Sequence, residues 1–129
     1  MVLDDGQGTP LGLHVDSASP AEVKLLETTL NTVRDGTPER LIADRGYDSN
    51  AARAMLARRG IEPMIPKREN NRCATHQDGR KLRRWIIERT NAWLQNFRRL
   101  VVRWERSAEI YTALVHAAFA MICLRRVLG

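Results

Sequence analysis

Between positions 82 and 106 the chain reads LRRWIIERTNAWLQNFRRLVVRWER, and Ile86, Thr90, Trp93, Phe97, Leu100 and Trp104 recur in alternating steps of four and three. That spacing puts all six on one stripe of a 3.6-residue helix. A stripe so apolar must be covered, so the segment cannot stand alone and needs a second layer. The stretch Ile110–Leu124 follows it and is apolar nearly all round, with Ser107 positioned to cap its start. Taken as 15 residues ending at Arg125 and Arg126, it is too short to span a bilayer and reads as a core helix wanting burial on more than one side.

Upstream, glycines and prolines punctuate short apolar runs. Met1–Asp5 and Leu11–Asp16 flank GQGTP, the pattern of a hairpin. Ser19, Pro20, Ala21 and Glu22 form a capping box with proline at the first helical position, and Val23, Leu26, Leu30 and Val33 continue at helical spacing until Gly36. Arg40–Ala43 predicts a short buried strand ending at Asp44, and Asn50–Arg59 a small helix closed by Gly60. Ile61–Ile65 is an edge strand at best, because Pro63 and Pro66 cannot donate to a ladder. Residues 67–80 are a polar loop. The order ββαβαβ followed by two helices predicts an α/β fold, and 129 residues suit one domain.

The net charge of +6 is concentrated. Residues 81–106 hold eight Lys/Arg against Glu88 and Glu105, so this segment alone accounts for the whole excess. A localised basic stripe is the footprint of a phosphate-backbone partner, although a solvated helix face has the same composition. Cys73 and Cys123 are unpatterned and no signal peptide stands at the start, which points to a reducing cytoplasm and away from a disulfide framework. Cys73 and His76 are half of a zinc pattern with no second half. His14, His76 and His116 read as structural or solvent-facing.

Two carboxylates stand out. Asp44 terminates an apolar run in RLIADRGYDS, where strand gives way to turn; an ordinary turn or cap aspartate would sit in the same way. Glu88 lies off the buried stripe, on the flank carrying Arg84, Gln95 and Arg99, and pairing with Arg84 is its ordinary alternative. Arg98, Arg99 and Arg103 suit phosphate contact and not base reading, since nothing in their spacing implies a sequence code. Trp93 and Trp104 belong to the stripe and should be core, leaving Trp85 as a candidate for base stacking.

At LIADRGYDS and RWIIERTNAWLQNFRRLVVRWER the chain closely resembles insertion-sequence transposases of the DDE type, particularly the IS-five group; GTPLGL, the RGI-P-IP strand, DGRKLRR and the final helix extend the likeness over essentially its whole length. The resemblance implies a ribonuclease-H-like fold in which two Asp and one Glu hold two divalent ions, Mg²⁺ or Mn²⁺, for phosphodiester cleavage and strand transfer. By position it makes Asp44 the second Asp and Glu88 the Glu, and so metal ligands and catalytic residues. It makes Arg84 the arginine of the Y-x2-R-x3-E pattern, on phosphate or against Glu88, and it sets Arg84, Arg89, Arg98, Arg99 and Arg103 toward DNA. The partners implied are insertion-sequence ends and target DNA, bound by a homo-oligomer in a bacterial cytoplasm at the nucleoid, with no membrane.

Departures from the pattern are informative. Lys81 stands where the tyrosine belongs, Gln95 where many relatives outside this group carry lysine, and RKLRRWIIE is a few residues short. The first Asp, on the strand that precedes the hairpin, is absent; Asp4 and Asp5 are the only early carboxylates and lie beside the hairpin turn. The expectation is therefore the C-terminal part of the catalytic domain, residues 1–129, with four strands in two pairs facing a vacancy left by the central first strand. Such a chain would be inactive alone unless an upstream-frame product supplied that strand. A decayed remnant and a small basic DNA-binding module stay open beside this reading.

Overall fold

The computed structural model describes residues 1–17, 22–34, 36–68 and 85–128. Ser19, Pro20 and Ala21 of the expected cap, Cys73, His76, Lys81 and Arg84 lie outside the described residues. Strands β1 (Val2–Asp4) and β2 (Pro10–Leu13) form an antiparallel hairpin with Val2 opposite Leu13 and Leu3 opposite Gly12. Its turn is held by Asp5, whose Oδ1 accepts the backbone N–H groups of Gln7 and Thr9, both at 2.8 Å. Gly8 supplies the positive φ of 85° that the chain reversal needs.

Strand β3 (Arg40–Ile42) pairs in parallel with β4 (Glu62–Met64), joined through helix α2 (Asn50–Arg58). Ser49 caps α2 by accepting from Ala52 N–H at 3.1 Å, and Gly60, at φ 72°, releases the chain from the helix into β4. Pro63 is tolerated because β4 bonds one neighbour only. Among the described residues the strands thus make two separate two-stranded sheets, β1–β2 and β3–β4.

Two apolar cores flank the hairpin. The first gathers Leu26 and Leu30 of α1 (Glu22–Leu30), Leu41, Ala52, Met55, Leu56, Ile61 and Ile65. The second gathers Leu13 with Val115, Phe119 and Ile122 of α5 (Ala108–Leu128). Strand alternation explains why both close on one hairpin: Leu3 packs on the first core and its neighbour Val2 on the second.

Three expectations are corrected. Helix α1 stops at Leu30 and does not continue through Val33. Thr32 Oγ1 donates to the Thr29 carbonyl at 2.7 Å and accepts Leu13 N–H at 3.0 Å, so its hydroxyl draws the backbone away from the helix and ties it to β2.

The stripe running to Trp104 is not one helix. It divides into α3 (Trp85–Gln95) and α4 (Arg98–Val101), separated at Phe97, whose φ −89° and ψ 98° are not helical. Trp93, Phe97 and Leu100 still pack on the second core across the break, but α4 ends at Val101, and Trp104 beyond it is 78% exposed.

The last helix is longer than its apolar run. Arg125 and Arg126 continue it, as good helix formers near a negative helix C-terminus, to 21 residues with mean hydropathy 1.4, long and apolar enough to cross a membrane. Its burial is one-sided, not the several-sided burial expected: Val115, Ala118, Phe119 and Ile122 are covered, whereas Ile110, Met121, Leu124, Val127 and Leu128 are exposed, and Arg126 donates to Thr9 Oγ1 at 3.0 Å.

Candidate functional site

Asp44 leaves β3 in extended conformation and caps a single 3-10 turn, Arg45–Tyr47; its Oδ1 accepts Gly46 N–H at 2.7 Å. A side chain at Gly46 would place Cβ 2.8 Å from that oxygen and push the capping carboxylate aside. Oδ2 has no partner among the described residues, and Asp44 is exposed. Ala43 and Tyr47, on either side, pack on the first core, so the carboxylate is carried on a rigid support.

The turn is braced further by groups that sequence reasoning did not single out. Asp48 is only 3% exposed and accepts Arg53 Nε at 2.7 Å and the Arg68 backbone N–H. Arg53 Nη2 donates to the Ile65 carbonyl at 2.8 Å. Arg68 donates from Nε to the Arg45 carbonyl and from Nη2 to the Gly46 carbonyl, each at 3.0 Å. The segments leaving β3 and β4 are thus tied together at their C-terminal ends, with Asp44 on the rim. An Asp before a helix-capping Ser reads from sequence as a turn residue. Only its burial against Arg53 marks it as a brace.

Glu88 stands in the first turn of α3 and is exposed. Its expected neighbours are dispersed. Gln95 shares the helix, whereas Arg99 lies past the break on α4 and bonds Glu105 at 2.6 Å. Arg89 turns inward: its guanidinium lies 4.9 Å from the Trp85 ring centroid and 4.8 Å from that of Trp93, and it donates to the Gln7 carbonyl at 2.5 Å. The glycine at position 8 leaves room for it, since a Cβ there would meet the Arg89 guanidinium. Arg98 is exposed and has no partner among the described residues. Arg103 is exposed as well, resting over the Tyr111 ring at 5.1 Å and donating to the Glu105 carbonyl at 3.2 Å. Trp85, the stacking candidate, is 55% exposed with Arg89 against its ring.

The two early carboxylates have other work. Burial opposes the charge of Asp5, but hydrogen bonds from Thr9 and Gln7 outweigh it and hold its carboxyl below the usual range. Asp4 faces α3, and both its oxygens are buried without a hydrogen-bond partner. Burial raises its pKa, against the opposing pull of the nearby Thr90 hydroxyl, Arg89 and Arg126. Neither residue is offered to a metal ion.

Helix α3 packs chiefly on β1, α4 and α5, while the Asp44 turn packs on α1. Among the described residues no three His, Cys, Asp or Glu side chains come close enough to hold a metal. Asp44 and Glu88 are hard oxygen donors of the right kind, but these residues alone do not complete a two-ion centre.

The structure thus sets an outward carboxylate, Asp44, at the C-terminal end of a parallel strand pair, next to Arg45 and Arg68. The chain belongs to the Transposase DDE domain family, which matches residues 1–123. It is 37% identical over 131 residues to the Burkholderia cepacia protein named "Putative transposase for insertion sequence element IS402", an alignment covering 95% of this chain and 60% of that one. The chain therefore spans about 60% of the length of the relative it matches. No solved structure matches it.

Proposed function

We propose that residues 1–129 form the C-terminal part of a ribonuclease-H-like catalytic domain which, in the complete protein, cleaves and joins DNA at insertion-sequence ends. Family membership over residues 1–123 supports DNA transposition as the process. The observation that carries the site assignment is Asp44. It lies where β3 ends, with one oxygen fixed by Gly46 and the other free, on a turn locked by Asp48, Arg53 and Arg68. Ligands at the C-terminal ends of parallel strands are the rule in α/β folds.

Domains of this family are generally dependent on divalent metal. In this reading Asp44 and Glu88 contribute to the binding of Mg²⁺ or Mn²⁺, and the third carboxylate comes from residues outside these 129, because Asp4 is buried and Asp5 holds the turn. Two such ions, when bound, activate the attacking oxygen and stabilise the departing one. The same outside segment, in one chain or as an upstream-frame product, would supply a strand between β1 and β3, each of which bonds a single neighbour among the described residues. Arg98 and Arg103 are the outward phosphate contacts, with Arg99 shared with Glu105, Arg89 an internal clamp, and Arg84 a further contact on the family pattern alone. The assembly would work as a homo-oligomer on insertion-sequence ends and target DNA, in the cytoplasm at the nucleoid.

The test uses the full-length protein that contains these residues. Asp44→Asn and Glu88→Gln should each abolish metal-dependent strand cleavage while leaving duplex affinity unchanged. Normal cutting by either variant removes that residue from the metal site. A second reading, a remnant or basic DNA-binding module without chemistry, is favoured by the lack of a three-carboxylate cluster among the described residues. It expects no cleavage from the complete protein with any divalent ion.

A further inference from the structure

Of the arginines singled out from the sequence, those described belong to α3, α4 and the segment after it, yet the Asp44 rim carries its own cations. Arg45 follows Asp44 directly, and Lys67 and Arg68 leave β4 beside it, as the Ala43 N–H bond to the Met64 carbonyl at 3.4 Å and the Arg68 bonds to Arg45 and Gly46 require. All three side chains are exposed. Arg45 and Lys67 have no side-chain partner among the described residues. Arg68 is anchored on two neutral carbonyls, so its charge is not cancelled and its Nη1 donors remain available. Nearby Arg53 is neutralised by Asp48, so among the described residues the rim carries three exposed cations on the segments beside one exposed carboxylate, Asp44. Unpaired like charges crowded onto a rigid rim repel one another. That cost is relieved when an oxyanion sits between them.

We propose that Arg45, Lys67 and Arg68 form a seat for a DNA backbone phosphate at the C-terminal end of the β3–β4 pair, next to Asp44. The inference rests on the reading that Asp44 faces the scissile strand. Arg68 is the positioned member: its guanidinium is fixed by the Arg45 and Gly46 carbonyls, and its backbone by buried Asp48. Arg45 and Lys67 act as flexible flanking charges. The seat holds a strand by its backbone and reads no bases. It would place the phosphodiester against the free oxygen of Asp44, on a different surface from Arg98 and Arg103.

The experiment is a salt titration of duplex oligonucleotide binding by the full chain, read as fluorescence anisotropy. The double variant Arg45→Gln, Lys67→Gln removes two charges whose side chains support no other contact among the described residues, so the fold should be unaffected. Affinity should fall about tenfold near 0.1 M salt, and the slope of log K against log salt should flatten by roughly 0.9, the value for one lost phosphate contact. The control is Arg34→Gln, Arg58→Gln, which makes the same change in net charge. Arg34 lines a cleft with Pro38, Arg59 and Ile61, at the opposite end of the β3–β4 pair, and Arg58 adjoins Arg59. It should bind as the unmodified chain does. An unchanged slope in the first variant, or an equal loss in the control, overturns the seat. The outcomes are separable from those of the functional reading. If Asp44→Asn cuts normally while the rim variant loses affinity, the metal assignment falls and the seat stands. If Asp44→Asn abolishes cutting while the rim variant binds normally, the seat falls and the assignment stands.

Discussion

The two carboxylates at the centre of the functional reading are supported in opposite ways. Asp44 sits on a short turn between two residues packed on one core, with Asp48, Arg53 and Arg68 locking the backbone around it. Glu88 rides on the open face of α3, and its orientation depends on how that helix lies against the hairpin and α5. One acid is positioned by local hydrogen bonds within about two dozen residues, the other by packing between distant elements. A catalytic group held by a local brace survives separation from the rest of its domain. One held by helix docking needs the surrounding sheet.

The sharpest way to break that comparison is to remove the brace. Asp48→Ala leaves the largely covered Arg53 guanidinium without its counter-ion and should cost about 3 kcal/mol or more in urea unfolding. Glu88→Ala, by contrast, should change stability by less than about 0.5 kcal/mol, because Glu88 is an exposed helix residue. Comparable losses from both would erase the distinction.

A smaller effect probes the docking of α3 through Asp4. Burial raises the folded-state pKa of Asp4 above 3.8, so the stability it contributes is full at low pH and is lost as pH rises from that value through the raised pKa. Asp4→Asn cannot ionise. Its melting temperature should stay flat over that window and exceed that of the unmodified chain at neutral pH. A pH profile indistinguishable from the unmodified one would mean that the Asp4 carboxylate is solvated and not pressed on α3.

The smallest effect concerns the broken stripe. Trp104→Ala should shift stability by less than about 0.5 kcal/mol, since the ring is 78% exposed. A loss of about 3 kcal/mol, the cost of emptying a core site, would instead restore one continuous helix through position 104.

The elements were legible wherever a local rule decided them. The hairpin turn and the Ser107 cap follow from bonds within a few residues, whereas the strand before Asp44 stops at Ile42 and buries only Leu41 where a buried run to Ala43 was expected. Asp44 stands out in the sequence as the residue that closes an apolar run, and the structure places it on the capped turn after β3. Helix extents were less so: α1 ends early because Thr32 is claimed by β2, and α3 breaks at Phe97 while the apolar spacing runs on. Periodicity records which residues would share a face if the helix continued. It does not record whether it continues.

What this sequence determined alone was therefore the chemistry it can present: an acid at a strand end, a second on a basic helix, and a charge excess gathered in one segment. Only the tertiary structure decided which charges face outward. Arg89 reads as a DNA contact yet lies between two tryptophan rings, and Asp48 reads as a turn residue yet is a buried anchor. The physical reason is that a side chain's charge is fixed by its type, whereas its partner is fixed by whichever distant element folds against it.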